Sequence, residues 1–214
     1  MPTPFRDCVS SEAELREWYR QPAELTQRKR IDRLDEHCRA FVAHSPFVLI
    51  GTAAADGTAD VSPKGGPPGF AVTLDEHRLA IPDLAGNNLL DSLTNLVHSP
   101  AVGLLFLVPG QDETLRVNGR GFVTRDPDVL AACEVKDRRP TAAVGVEVHE
   151  AFIHCAKAFR RGALWKPDEW PDRSDLASAA CMLRDHIELG DVPEEVMDQA
   201  LEDGYAETMW EPGG

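Results

Sequence analysis

The chain has 214 residues and is 43% hydrophobic, which suffices for a buried core in one large domain or two small ones. Its net charge of −14 argues against nucleic acid as a partner, and its apolar runs are far shorter than the roughly 20 residues of a membrane-spanning helix. The five cysteines form no CxxC pair and the N-terminus lacks the apolar core of a secretory signal, so we expect a cytoplasmic protein without a disulfide framework.

The negative charge is concentrated at the C-terminus. Residues 185–214 contain ten Asp and Glu residues and no Lys or Arg, so this segment alone carries −10. The rest of the chain carries only −4 and could bind a small anion locally. We interpret the acidic segment as a solvated helical face.

Two helices are predicted before the first strand. Ser11 and Glu14 have capping-box spacing, and the helix that they open is interrupted by Pro22. The next helix carries an apolar stripe and ends at Ser45-Pro46. The stripe comprises Ile31, Leu34, Cys38, Phe41 and Val42.

Strands dominate the middle of the chain. Residues 47–53 and 58–62 flank Asp56-Gly57, which is typical of a tight hairpin, and residues 70–74 and 78–81 predict a second hairpin. A short helix from about Asn88 to Val97 follows.

Alternating residues continue the strands. Residues 101–108 and 114–124 form a third predicted hairpin, and a brief helix near 127–134 precedes a strand containing Val144, Val146 and Val148. Two weakly amphipathic helices, 176–189 and 196–205, follow. About seven hairpin-linked strands without long crossovers indicate an α+β protein with an antiparallel barrel and peripheral helices.

The segment 61–69 is the first candidate site. Ser62 offers a hydroxyl, Lys64 a positive charge, and Gly65 an unobstructed amide, which together could bind an anion. The alternative is a Pro/Gly-rich surface loop with a solvated lysine.

The segment 82–93 is the second candidate. Asn87 and Asn88 precede a predicted helix, whose N-terminus favours phosphate, although Asn is also a common helix cap. Because Lys64 and Asp83 follow consecutive strands, we expect both segments to face one pocket.

The segment 152–165 is the third candidate. Lys157 and Arg160 suit an anion or a ring edge, with Trp165 as a stacking wall, whereas a solvated basic patch with one core tryptophan is the alternative. His149 and His154 lie five residues apart on one strand, so we predict no metal site.

Four motifs occur in one order: DGxxDVSPKG at 56–65, RLAIPD…GNN…DSLxNL at 78–96, VGLLFLVPG…ETLRVNG at 102–119, and FIHCAKA…LWxP at 152–167. This order resembles the pyridoxamine 5′-phosphate oxidase-like family of FMN-binding split-barrel proteins over residues 25–170. The resemblance implies an antiparallel split β-barrel of about six to seven strands at 47–170. From the helical patterns outside it, we expect N-terminal helices at 1–46 to pack on the barrel and residues 171–214 to form an acidic helical extension.

The resemblance also implies a homodimer with FMN at the subunit interface and a small-molecule substrate. Ser62 and Lys64 would meet the phosphate or ribityl chain, and Asp83, Asn87 and Asn88 would continue that site. Further implied cofactor-binding residues are Thr114 and Arg116 near the flavin ring, and Lys157, Arg160 and Trp165 from the partner chain.

The sequence departs from the family in three places. Leu89 stands where an arginine is frequent, and Thr114 stands where the oxidases carry a glutamine near the flavin ring. The Arg-x-His signature of true pyridoxamine phosphate oxidases is missing, which argues against vitamin B6 oxidation itself. The leading hypothesis is an FMN-dependent oxidoreductase acting on an unidentified small molecule. The alternatives are a non-catalytic flavin-binding or redox-sensing protein, and a split barrel that uses deazaflavin or heme, the latter with His149 or His154 as ligand.

Overall fold

The computed structural model describes residues 5–213 and contains one β-sheet with peripheral helices. The strands are β1 (Phe47–Ala53), β2 (Ala59–Gly65), β3 (Val72–Thr73), β4 (Arg78–Pro82), β5 (Ala101–Leu107), β6 (Thr114–Thr124) and β7 (Ala143–His154). The α-helices are α1 (Glu12–Trp18), α2 (Glu24–Arg28), α3 (Glu36–His44), α4 (Asp91–His98), α5 (Pro127–Ala132), α6 (Lys157–Arg161), α7 (Ala179–His186) and α8 (Glu194–Thr208). None of the helices within 5–213 is long and apolar enough to cross a membrane.

The seven strands form an open antiparallel sheet in the order β2-β1-β5-β6-β7-β4-β3. The predicted hairpins β1–β2, β3–β4 and β5–β6 are all paired as expected. Strand β1 also pairs with β5, and β4 pairs with β7. These two pairings between distant segments join the hairpins into one curved sheet. The predicted α+β class and antiparallel split barrel of about six to seven strands are therefore confirmed.

The core lies on one face of this curved sheet, beneath α3 and α4. Strand β1 alternates between half-buried and buried residues, so Val48 and Ile50 point inward and meet Leu104 and Phe106 of β5. Leu96 of α4 closes the same cluster. Burial of these apolar side chains is the main term that stabilises the fold.

A β-bulge interrupts the β6–β7 ladder between Asn118 and Gly119. The Gly119 backbone lies so close to the Glu147 carbonyl that a Cβ atom would overlap it. Glycine is required here for close approach of the two strands, and the bulge bends them.

The N-terminal segment differs from the predicted helices. Helix α3 begins only at Glu36, because the Asp35 carboxylate caps it by accepting from the Cys38 amide at 2.8 Å. Ile31, which we expected in that helix, instead forms a β-bridge with Ala151. Helices α1 and α2 contribute no buried residue.

The chain returns to the sheet after α8, which packs against α7. We call residues 210–213 the C-terminal strap. Trp210 packs against the main core, and the Lys136 ammonium lies 3.6 Å from the centroid of its ring. Glu211 pairs with Arg138, and Pro212 bridges to Leu84 just after β4. The strap therefore lies beside the end of β4.

Candidate functional site

A polar cleft of about 230 Å³ opens where edge strand β2 faces the chain leaving β4. Its walls are residues 60–64, 83–84 and 86–93. A second cavity of about 290 Å³ shares Ser62, Lys64 and Asn87 with the cleft and extends to Phe70 and Met209. The segments expected to share one pocket do so.

Strand β2 presents one polar face to the cleft. Asp60, Ser62 and Lys64 alternate with more exposed residues, as side chains two apart must on a strand. We expected the strand to end at Ser62, but it continues to Gly65 through Pro63. Proline is tolerated because β2 is an edge strand on which one side needs no amide donor.

Lys64 spans the open seam of the sheet. Its Nζ lies 3.6 Å from Oδ1 of Asp83, and the two side chains are 24% and 13% exposed. This ion pair joins β2 to the residue that follows β4, although the two strands are not hydrogen-bonded to one another. The Asp83 backbone is held separately, because its amide donates to the Ala142 carbonyl at 3.0 Å.

The loop after Asp83 differs from the predicted helix start. Helix α4 begins at Asp91, because Asn88 and Leu90 have φ values of 56° and 60° and interrupt helical geometry. The Asn87 carboxamide accepts from the Leu89 amide at 3.1 Å, which forms a local turn and leaves α4 uncapped. Asn87 and Asn88 therefore line the cleft as loop residues.

The first turn of α4 also faces the cleft. No side chain caps this helix end, so its amides are available to an anion. The Ser92 hydroxyl donates to the Asp60 carboxylate at 2.6 Å and ties α4 to β2. Sequence reasoning missed Asp60 and Ser92, although the two-residue period of β2 could have revealed Asp60.

The donors in the cleft fit a phosphate group. Ser62 supplies a hydroxyl, Lys64 an ammonium, and α4 its first-turn amides. However, Asp60, Asp83 and Asp91 line the same cleft, so its own carboxylates outnumber its single lysine. A dianion would need further positive charge from outside the cleft.

The cleft is also small. Its volume lies below the roughly 300–1,000 Å³ of most ligand pockets, so it is large enough for a phosphate group but not for a large planar ring.

Of the other predicted cofactor residues, Gly65 lines the second cavity but not the cleft, and five lie away from both. Arg160 pairs with Asp112 at 2.8 Å, and the Trp165 indole donates to the Gln111 carbonyl at 2.9 Å, so both pack on the β5–β6 turn of their own chain. The remaining three are Thr114, which is buried, Arg116, which stacks on Phe152, and exposed Lys157. One chain does not bring the two sets together.

Histidine and cysteine do not contribute to the cleft. His149 lies near Glu147 on the surface, and His154 packs near Phe152. Within residues 5–213 there is no cluster of three or more His, Cys, Asp and Glu side chains arranged to hold a metal ion. Burial raises the pKa of Cys38 to about 12 and that of Cys133 to about 11, so neither thiol is a ready nucleophile.

Exposed apolar side chains lie on the walls of the cleft and further along α4. Val61, Leu89 and Val97 are 65%, 67% and 70% exposed, on β2, the loop and α4 respectively. Leu90 adds a half-exposed side chain to this apolar rim. Several neighbouring exposed hydrophobic residues are typical of a surface that binds a protein or a ligand.

The open antiparallel split barrel with peripheral helices is an α+β architecture, and its seam carries a polar cleft. The family model described as pyridoxamine 5′-phosphate oxidase matches residues 34–155, more than half of the chain. The protein belongs to this family. No curated protein matches the chain.

Solved structures with a similar chain trace come from several bacteria. HupZ of Group A Streptococcus is 11% identical, with a TM-score of 0.47, and the match covers 56% of this chain and 92% of HupZ. General Stress Protein 26 of Bacillus anthracis is 10% identical, with a TM-score of 0.41 and coverage of 53% and 88%. HutZ of Vibrio cholerae, a heme storage protein, is 14% identical, with a TM-score of 0.39 and coverage of 56% and 94%.

Proposed function

We propose that the protein is a cytoplasmic FMN-binding flavoprotein that acts as an FMN-dependent oxidoreductase on a small molecule. The observation that carries the proposal is the convergence of Ser62 and Lys64 with the first turn of α4 in one cleft, within a domain of this family. These donors suit the phosphate end of FMN.

The role of each residue follows from its chemistry. Ser62 would donate its hydroxyl to a phosphate oxygen, and Lys64 would offset part of the phosphate charge. Asn87 and Asn88 would bound the ribityl chain from the loop. When bound, FMN supplies hydride or electron transfer, which no side chain provides.

We propose further that the protein acts as a homodimer with FMN at the interface. The cleft lacks sufficient positive charge of its own, whereas Lys157 and Arg161 form no ion pair within residues 5–213. A second copy placed against the apolar rim could bring Lys157, Arg160 and Trp165 to the flavin. Burial of Val61, Leu89 and Val97 would stabilise that dimer.

A second candidate, a non-catalytic flavin binder or redox sensor, is favoured by the lining of the cleft. Its walls include no histidine, cysteine or tyrosine, the side chains that most often transfer protons or attack substrates. Steady turnover with a nicotinamide donor and an electron acceptor would favour the enzyme. Tight flavin binding without turnover would favour the sensor.

The test is to purify the protein, record its visible spectrum and titrate it with FMN. We expect a flavin spectrum that is bleached by reductant, and loss of FMN affinity in Lys64→Ala. Lys166→Ala, which removes an exposed lysine paired with Glu169, is the matched control and should bind normally. A heme Soret band, or no FMN uptake by the wild-type protein, would contradict the proposal.

A further inference from the structure

The C-terminal strap makes backbone contacts on both sides of the Asp83 loop. The Gly213 amide donates to the Asp83 carbonyl at 3.1 Å, and the Ala85 amide donates to the Glu211 carbonyl at 2.9 Å. These bonds fix the backbone from which the Asp83 side chain reaches Lys64.

Gly213 also determines where the Asp83 carboxylate lies. A Cβ atom at position 213 would overlap Oδ2 of Asp83, while Oδ1 of the same carboxylate faces Lys64. Because a carboxylate is the far end of a flexible side chain, rotating it away is the least costly way to relieve the overlap. The absence of a side chain at Gly213 therefore permits the Asp83–Lys64 pair.

The pair neutralises the cleft's only lysine. Phosphate and the Asp83 carboxylate would compete for the same ammonium group, with Asp60 and Asp91 nearby adding repulsion. The strap is itself anchored at a distance from the cleft by Trp210 beneath Lys136 and by Glu211 on Arg138.

We infer that the C-terminal strap restrains anion binding, and that Gly213 is a positioning residue which holds Asp83 on Lys64. Docking of the strap and binding of a phosphate group in the cleft oppose each other. The consequence for FMN rests on the proposed function, whereas the link from Gly213 to Lys64 does not.

The link from Gly213 to Lys64 is tested by trace acetylation of the full-length protein after any bound flavin has been removed, followed by mass spectrometry. The Lys64 signal is divided by that of exposed Lys166, which lies outside the cleft, in the same sample. We expect a severalfold higher ratio in Gly213→Ala and in Asp83→Asn, because Lys64 loses its covering carboxylate. The double variant should show no further rise. Gly204→Ala is the matched control, since a Cβ there meets nothing within 4 Å.

The consequence is tested by FMN titration of the same variants. Gly213→Ala and Asp83→Asn should bind FMN roughly three- to tenfold more tightly than the wild type. An unchanged Lys64 ratio in folded Gly213→Ala, or weaker FMN binding in both variants, would overturn the inference. If the Lys64 acetylation ratio rises but no variant binds FMN, the result would support the link from Gly213 to Lys64 and would contradict the proposed function instead.

Discussion

The Ser92 hydroxyl donates a 2.6 Å hydrogen bond to the Asp60 carboxylate and so joins the first turn of α4 to edge strand β2. Ser92 is only 6% exposed, so the bond forms away from bulk water. It fixes the two walls of the cleft relative to each other.

Ser92→Ala should therefore lower the free energy of unfolding by about 1–3 kcal/mol, because a partly buried carboxylate loses its donor. Chemical denaturation measures the change. Ser174→Ala is the matched control, since it removes a similar serine–carboxylate bond, to Asp172, on the exposed surface. Equal effects of the two substitutions would show that burial of the Asp60 bond is unimportant.

Leu89→Arg should strengthen FMN binding by about tenfold or more, because an arginine on the wall of the cleft can form charge-assisted bonds to phosphate. Fluorescence titration with FMN measures the affinity. Leu25→Arg adds the same charge to the exposed surface of α2, outside the cleft, and should change affinity little. Similar gains in both variants would indicate a general charge effect rather than a site at Leu89.

The Asp35 cap of α3 should make the free energy of unfolding depend on pH in the acidic range. The Cys38 amide that donates to its carboxylate holds the pKa of Asp35 below its ordinary value. Because the pKa of Asp35 is lower in the folded state, the cap contributes its full share of the free energy of unfolding above about pH 4, the pKa in the unfolded chain. That contribution is lost as the pH falls through the folded-state pKa. Asp35→Ala should cost about 1 kcal/mol near neutral pH and progressively less in acid.

Thermal unfolding of wild type and Asp35→Ala between pH 7 and pH 2.5 provides the measurement. Asp35→Asn keeps a capping oxygen without the titration, so it should be stable at neutral pH and lose the pH dependence. A constant difference between wild type and Asp35→Ala at every pH would contradict this prediction.

The thiols should differ sharply in reactivity. Cys155 is exposed, whereas Cys133 is buried and its pKa is raised to about 11 by that burial. At pH 8, a thiol reagent should modify Cys155 at least about a hundredfold faster than Cys133. Mass spectrometry of timed samples, with Cys155→Ser to identify the fast site, tests this expectation. Comparable rates in the native protein would show that the Cys133 region opens readily.

Gly119→Ala should destabilise the protein by about 3 kcal/mol or more, because two strand backbones would have to separate. Gly145→Ala, in the same sheet, is the control: its nearest atoms would be 3.7 Å from the new Cβ, an ordinary contact. Denaturation midpoints compare the two. A small loss in Gly119→Ala would mean that the bulge can relax.

The sequence predicts the sheet better than the cleft. Hairpins are recognisable because turn residues and two-residue alternation are local, and Asp56-Gly57 indeed joins two paired strands. The predicted start of α4 was wrong because Leu90 adopts a left-handed conformation that leucine rarely favours.

The remaining features of the cleft depend on contacts between distant segments. Pro63 continues an edge strand, which no local rule reveals before the strand order is known. The approach of Gly213 to Asp83 joins residues 130 positions apart. Neither of these two features produces a periodic pattern in the amino-acid sequence.

The cleft's two walls belong to strands that are separated, in the order of the sheet, by β1, β5, β6 and β7. Every one of those ladders must be in register for β2 to arrive opposite Asp83, since a slip of one residue turns a strand's side chains to the other face. Ligand affinity at Lys64 would therefore depend on correct pairing of all the strands in between. A substitution that disturbs the distant Gly119 bulge would lower that affinity.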